Sequence, residues 1–417
     1  MTQRPHDHAP DRVALAVPHT PVVVMDEVAD ASSALDSARR REEQGDDAGA
    51  IAEFERAVDL AQKSDAASIG LAARAGLVRL QLAAGRVHEV DAQLERIEVG
   101  LSSTMVAPVA RAEALCEWGL VLIEHGDDAH DQLDEALALV RGGPTTDAGR
   151  RVEVRTLVYR AHGERLRGDY ATARATLDGA LAVAETAFGP DSQETAEVLN
   201  ALGVLGKFSG DFDAAQRSYE RAARIIERAY GREHPDMAAI YHNLAGLAHA
   251  RGDAGAAEPL ARRSVEIRER TSGQDHLAAI LDRAGLAAIL SDLHRDDEAT
   301  DMLERVLLDL ELAVGPEHRE YAVTLNNLAA IDQRRGDMEA AELRYRRALE
   351  IKERTQGRDA PALATTLNNL GTVLRRRGQP DEARAAYQRA IVLLDGVVAD
   401  DHPTLLAARR NIARLEA

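Results

Sequence analysis

Amide and basic side chains recur on one face of several candidate helices. Asn326, Ala330, Gln333 and Arg334 stand at i, i+4, i+7 and i+8, which puts them on a common helical face. Asn368, Thr372, Arg375 and Arg376 repeat that spacing, and Arg410 and Arg414 continue it. Earlier members are His162 with Arg165, Asn200 with Lys207, and His242 with His249. The chemistry such a stripe supports is recognition of an extended chain. An asparagine carries both donor and acceptor, so Asn200, Asn326 and Asn368 could bond peptide N–H and C=O groups regardless of sequence. Arginine adds charge-assisted bonds to carboxylates, each on the order of 1.5–3 kcal/mol when sheltered. The competing reading is a solvated face, since arginine near a helix C-terminus is favoured by the helix dipole anyway. Arg375 to Arg377 fit that description too.

Signatures of bond-making chemistry are thin. The chain holds no phosphate loop, dinucleotide fingerprint, HExxH or paired-cysteine motif. The single cysteine, Cys116, cannot form an internal disulfide or a zinc ligand set alone, and it fits a reducing, cytoplasmic compartment. His125-Gly-Asp-Asp-Ala-His130 has metal-like composition but coincides with a turn, where glycine and aspartate already have a structural task. His6-Asp7-His8 sits in a proline-containing stretch with nothing to orient its rings. No catalytic residue, metal or cofactor is expected.

The elements that position the stripe follow from periodicity. Leu328 has counterparts at Leu202, Leu244, Leu286, Leu370 and Ile412, and Ala341 at Ala215, Ala257, Ala299 and Ala383, all on one fixed interval, that from Leu328 to Leu370. Within each unit an apolar helical pattern stops at a glycine-aspartate pair such as Gly336-Asp337 and restarts at once. Glycine suits the left-handed turn ending a helix, and aspartate accepts the free amides that open the next. Each unit is therefore a helical hairpin with an A and a B helix. Nine turns or their equivalents predict nine hairpins, although His294-Arg295 departs from the glycine-aspartate pattern.

Leu-Asn-Asn-Leu at 325–328 and 367–370, with Gly231, His234 and Pro235 between hairpins, resembles the kinesin-light-chain type of tetratricopeptide array. The resemblance implies an all-α, right-handed superhelical solenoid whose helix-A faces line a concave groove, with asparagines and basic side chains contacting a bound peptide. The serial His234, His276, His318 and His402 are spread along such a solenoid and are expected as turn residues. Asn243, Asn327, Asn369 and Asn411, one position along, are expected to tie neighbouring hairpins together.

The expected organisation is a flexible segment over 1–31, three irregular hairpins over 32–141 and a breaker loop over 142–149. Six regular repeats over 150–402 and a capping helix over 403–417 complete it. A rival reading of the first segment lays Val22 to Met25 extended against the array as an internal mimic of a partner peptide. No run approaches the roughly 18 apolar residues of a membrane helix. Net charge is −19, with 14 Lys and Arg against 27 Asp and Glu in residues 1–150 and 37 against 43 afterwards. That balance argues against nucleic acid as a partner. The expectation is a cytoplasmic, non-catalytic adaptor for an extended, acidic peptide or protein tail. Its rivals are a peptide-sensing regulator whose superhelix changes shape and an enzyme with a His and acidic cluster inside the superhelix.

Overall fold

The computed structural model describes residues 22–416 of the chain, with side chains over residues 27–415. Among the described residues all regular structure is helical. The first three hairpins are α1 (Val22–Glu43) with α2 (Asp47–Lys63), α3 (Ala67–Ala83) with α4 (Val87–Leu101), and α5 (Pro108–His125) with α6 (His130–Gly142). The next three are α7 (Asp147–Leu166) with α8 (Tyr170–Phe188), α9 (Gln193–Ser209) with α10 (Phe212–Tyr230), and α11 (Pro235–Ala250) with α12 (Ala254–Thr271). Then come α13 (Leu277–Asp292) with α14 (Asp296–Ala313), α15 (Arg319–Arg335) with α16 (Met338–Gln356), and α17 (Ala364–Arg376) with α18 (Pro380–Leu394). α19 (Pro403–Glu416) packs on the last hairpin. No helix among the described residues is long and apolar enough to cross a membrane.

Two boundaries differ from expectation. α1 begins at Val22, so Val22 to Met25 is helical and not extended, and the expected edge at 31/32 falls inside a helix. The stretch from Val22 to Ala31 has no glycine or proline. β-branched residues cost a helix only tenths of a kcal/mol each, so a helix anchored downstream by buried Ala31, Ala34 and Ala38 propagates through them. The breaker is also shorter than 142–149: residues 143–146 alone separate α6 from α7, and the Thr146 hydroxyl caps α7 by accepting from Gly149 N at 3.1 Å. His6-Asp7-His8 and the rest of residues 1–21 lie outside the described residues.

Inside each hairpin the turn chemistry is regular. Gly336 takes φ 89°, and Asp337 accepts from Ala340 N at 3.0 Å. Where glycine is missing, His294 adopts φ 61° and the hairpin still closes. Between hairpins, His234, His276 and His318 cap α11, α13 and α15, each Nδ1 accepting a backbone N–H at 3.2–3.3 Å. The apolar ladder fills the space between helices. Ala341 is fully buried with Ala329, Tyr345, Leu370 and Tyr387. Ala341→Phe overpacks this crossing, and we expect a loss of about 1–3 kcal/mol in urea denaturation. An unchanged midpoint would place the residue elsewhere.

The stack also curls back on itself. A Cβ built on Gly45 would fall 2.5 Å from Pro235 Cγ, and one on Gly85 3.2 Å from Leu277 Cβ. Gly168 meets Pro361 in the same way, and Gly210 meets Ala399 and His402. Gly45 belongs to the turn of the first hairpin and Pro235 opens the sixth, so one superhelical coil takes between four and five hairpins and the next coil rests on it. Turns within hairpins of the first coil touch turns between hairpins of the second. Among the described residues one ion pair crosses this seam, Arg319 Nη2 to Glu124 Oε2 at 3.0 Å. Each apolar cluster among the described residues stays within neighbouring hairpins, so no core spans the seam.

Candidate functional site

The odd-numbered helices face the axis of the first coil. Residues of α1, α3, α5, α7, α9 and α11 converge on one cavity of about 300 Å³, and α1 meets α11 there only because the coil closes. A second cavity of about 230 Å³ lies further along α5, α7 and α9, and Asn200 lines both.

Around the first cavity charges alternate from helix to helix. Arg79 makes a two-pronged pair with Glu42 at 2.6 and 2.7 Å and reaches Glu117 Oε1 at 2.7 Å. Arg155 donates to the same Glu117 oxygen at 3.2 Å, and the Tyr159 hydroxyl to its other oxygen at 3.3 Å. Glu117 is fully buried, so each donor offsets part of the penalty of removing a carboxylate from water. Glu197 continues the series on α9 but has no hydrogen-bond or ion partner among the described residues. Its side chain is exposed at the wall of the cavity, and the surrounding protein raises its pKa, with Arg155 opposing and Asp236 adding to the rise. Cys116, beside this ring, is buried, which pushes its thiol well above the usual range.

The second cavity is largely apolar, with Arg165, His162 and Glu124 in its wall. Arg165 Nη2 donates to His162 Nδ1 at 3.0 Å, so the neutral ring carries its proton on Nε2 and donates it to Glu124 Oε1 at 3.1 Å. Burial keeps His162 below its ordinary value, consistent with that tautomer. Burial, followed by the nearby Arg319 charge, lowers Arg165 to about 10. Burial alone would raise Glu124, yet Arg319 and the His162 bond bring it down to about 2. Phe208 has two cations against its ring, Arg165 4.6 Å and Lys207 5.1 Å from the ring centre. Burial, then repulsion from Arg165, lowers Lys207 to about 8. Neither cation has a carboxylate within ion-pair distance among the described residues.

The structure separates the remaining stripe residues into groups. Arg165 and Asn200 line the cavities, with Lys207 adjoining. His242 pairs with Asp282 at 2.8 Å and His249 with Asp292 at 2.7 Å, so both rings are engaged within the array. Asn200 and Asn368 spend their acceptor oxygens on Asn243 and Asn411, each at 2.9 Å from the next hairpin. Thr372 accepts from the Tyr387 hydroxyl at 3.1 Å. Arg334 is held by Ser291 and by Asp296, the latter at 2.8 Å. The carbonyl oxygens of the Asn326 and Gln333 side chains are buried without a partner. Arg375, Arg376, Arg410 and Arg414 are exposed and line neither cavity. Sequence reasoning missed the charged ring altogether. Its signal was Glu42, Arg79, Glu117, Arg155 and Glu197, one per A helix, with the first three steps shorter than the step of the leucine ladder.

A stack of helical hairpins whose inner helices line two cavities defines an α-solenoid. The chain belongs to the tetratricopeptide repeat family, whose model matches residues 153–222, 204–270, 276–354, 333–395 and 362–417. No curated protein matches the chain. Among solved structures it is similar to BtubC (BKLC) from P. vanneervenii, at 22% identity over 55% of this chain and 90% of that one, with a TM-score of 0.40. A kinesin light chain protein of nearly identical TPR-like repeats from Podosopora anserina shares 22% identity over 44% of this chain and 87% of its own, with a TM-score of 0.35. A Rap protein complexed with Competence and Sporulation Factor shares 12% identity but aligns over 84% of this chain and 98% of its own, with a TM-score of 0.54.

Proposed function

We propose that this chain is a non-catalytic, cytoplasmic scaffold that receives an extended peptide or protein tail inside its first coil, with an acidic group of the guest seated at Arg165 and Lys207. One observation carries the reading: two partly buried cations stand against the Phe208 ring beside a cavity, and among the described residues no carboxylate lies within ion-pair distance of either. Keeping them charged there is unfavourable unless a guest supplies the counter-charge, and a charge-assisted bond repays that penalty. A Rap protein of similar fold is complexed with a factor, which supports the reading as precedent for a solenoid of this kind. Titration of the full chain with a fluorescein-labelled Glu- and Asp-rich decapeptide should give a micromolar Kd, about −8 kcal/mol, weakening as salt rises. The double substitution Arg165→Ala and Lys207→Ala should weaken it at least tenfold. Equal affinity of parent and variant, or no binding at all, would sink the assignment.

A specific observation favours a second reading, a peptide-sensing regulator. Arg165, His162, Glu124 and Arg319 form an unbroken chain from the cavity to the seam, at 3.0, 3.1 and 3.0 Å. A guest that draws Arg165 off His162 would alter the pairing that holds one coil on the next, and the superhelix would change length. Small-angle scattering with and without saturating decapeptide tests this; an identical radius of gyration removes it.

A further inference from the structure

The first cavity differs in chemistry from the second. Its arginines are satisfied: Arg39 pairs with Glu113 at 2.8 Å, Arg79 with Glu42 and Glu117, and Arg151 with Glu194 at 2.8 Å. What remains is an excess of carboxylate. Glu43, Glu197 and Asp236 all line the same space, and neither Glu43 nor Glu197 has a hydrogen-bond or ion partner among the described residues. Asp236 is met by a neutral amide, Gln193 Nε2 at 3.3 Å, and by the His234 ring at 3.6 Å. An unpaired carboxylate at a cavity wall is open to a cationic partner, as the two cations at the next cavity are to an anionic one.

The two cavities share Asn200 and follow one another along α9. Glu197 and Lys207 stand ten positions apart on that helix, so their Cα atoms are roughly 15 Å apart. An extended peptide covers that span with about four or five residues. We infer that the channel is bipolar: Glu197, with Asp236 beside it, takes the cationic end of a short linear peptide whose carboxylate end reaches Arg165 and Lys207. The ligand class is therefore a zwitterionic tetra- or pentapeptide with a fixed direction, its acidic end being the group that Arg165 and Lys207 receive. This rests on the peptide-receiving reading above and refines it. The cation can come from a free α-amine or from a Lys or Arg side chain near the N-terminus, since both present N–H donors and positive charge to a carboxylate.

Affinity selection with mass spectrometry tests the assignment on the full chain. The probe is an equimolar pentapeptide library prepared in three forms: free at both ends, N-acetylated, and C-amidated. We expect free-ended peptides to be enriched at least tenfold over both capped forms. If a side-chain amine or guanidinium is the cation, the N-acetylated peptides that survive carry Lys or Arg at their first or second position. Glu197→Gln should erase the discrimination against N-acetylation and leave that against C-amidation; Arg165→Gln with Lys207→Met should do the reverse. N-acetylated peptides lacking Lys and Arg enriched as strongly as free ones by the unaltered protein would overturn the bipolar channel while leaving peptide binding intact. Enrichment of no form would overturn the peptide reading and this inference together. The comparison of end-forms on the unaltered protein decides the matter even if a variant fails to fold.

Discussion

Arg319→Ala is expected to lower stability by about 3 kcal/mol and to spread the two coils apart. Arg319 opens α15 in the second coil, yet its guanidinium lies 3.0 Å from Glu124 near the end of α5 in the first. Glu124 is 18% exposed and also receives the His162 proton. Deleting one partner of a buried pair strands the other charge and costs about 3–5 kcal/mol; residual solvent contact puts this pair at the lower edge. The seam has no apolar core among the described residues to compensate. A pH signature separates this from general damage. Glu124 titrates at about 2 in the folded chain against 4.5 ordinarily, so its stabilisation is present above 4.5 and is lost as pH falls through about 2. That shift corresponds to about 3 kcal/mol. The unaltered protein should lose that stability between pH 4.5 and 2, whereas Arg319→Ala should respond much less. Urea denaturation at pH 7 and pH 3, with small-angle scattering at pH 7, checks both parts. An unchanged midpoint with an unchanged radius of gyration would show that the seam does not depend on this pair.

Lys352→Met should act in the opposite direction and stabilise the protein by about 2 kcal/mol at pH 7. Lys352 is 7% exposed on α16, and its ammonium donates to the Thr366 hydroxyl at 3.0 Å without a carboxylate at ion-pair distance among the described residues. Burial lowers its pKa from 10.5 to about 8, against a small opposing pull from Glu320. Below pH 8 the lysine is charged in both folded and unfolded chains, and only the folded one bears the penalty, about 3 kcal/mol. Methionine keeps the stem's volume and drops the charge; the abandoned Thr366 hydroxyl returns about 1 kcal/mol of that gain. As pH rises from 8 towards 10.5 the folded lysine deprotonates first, the unaltered protein gains stability, and the advantage of methionine fades. Urea midpoints at pH 7, 8.5 and 10 follow the difference. A variant less stable than its parent at pH 7, or a gap that does not narrow with pH, would contradict the account.

What the sequence made legible is whatever repeats at a fixed interval. The leucine and alanine ladders give hairpins, register and cap because each unit packs mainly on its neighbours. Gly336-Asp337 and its equivalents declare their turns, and even His294 keeps the hairpin because the apolar positions on either side hold it. The lining of the cavities was legible in part. Arg165, Asn200 and Lys207 lie at the cavities, but Arg334 is engaged by Ser291 and Asp296, two side chains of the preceding hairpin that a single-helix reading does not see. Arg376 reaches only the Gln333 carbonyl at 3.4 Å, and Arg410 only its own helix. The ring from Glu42 to Glu197 escaped because the early units are spaced more tightly than the later ones, which breaks a ladder drawn at the leucine interval. The seam was out of reach for a different reason: which turns meet depends on a small rotation per hairpin, accumulated over a whole coil.

That accumulated rotation has a bearing on how the gene for such a chain can change. An array with contacts only between adjacent units tolerates the duplication or loss of one unit anywhere, since each junction is much like the next. Here Gly45 faces Pro235 and Glu124 pairs with Arg319 across the seam, so an inserted unit between them would re-pair every later turn and part that matched couple. The number of units is thereby tied to the geometry of the coil, and lineages of this protein should vary in length at their ends far more readily than in their middle.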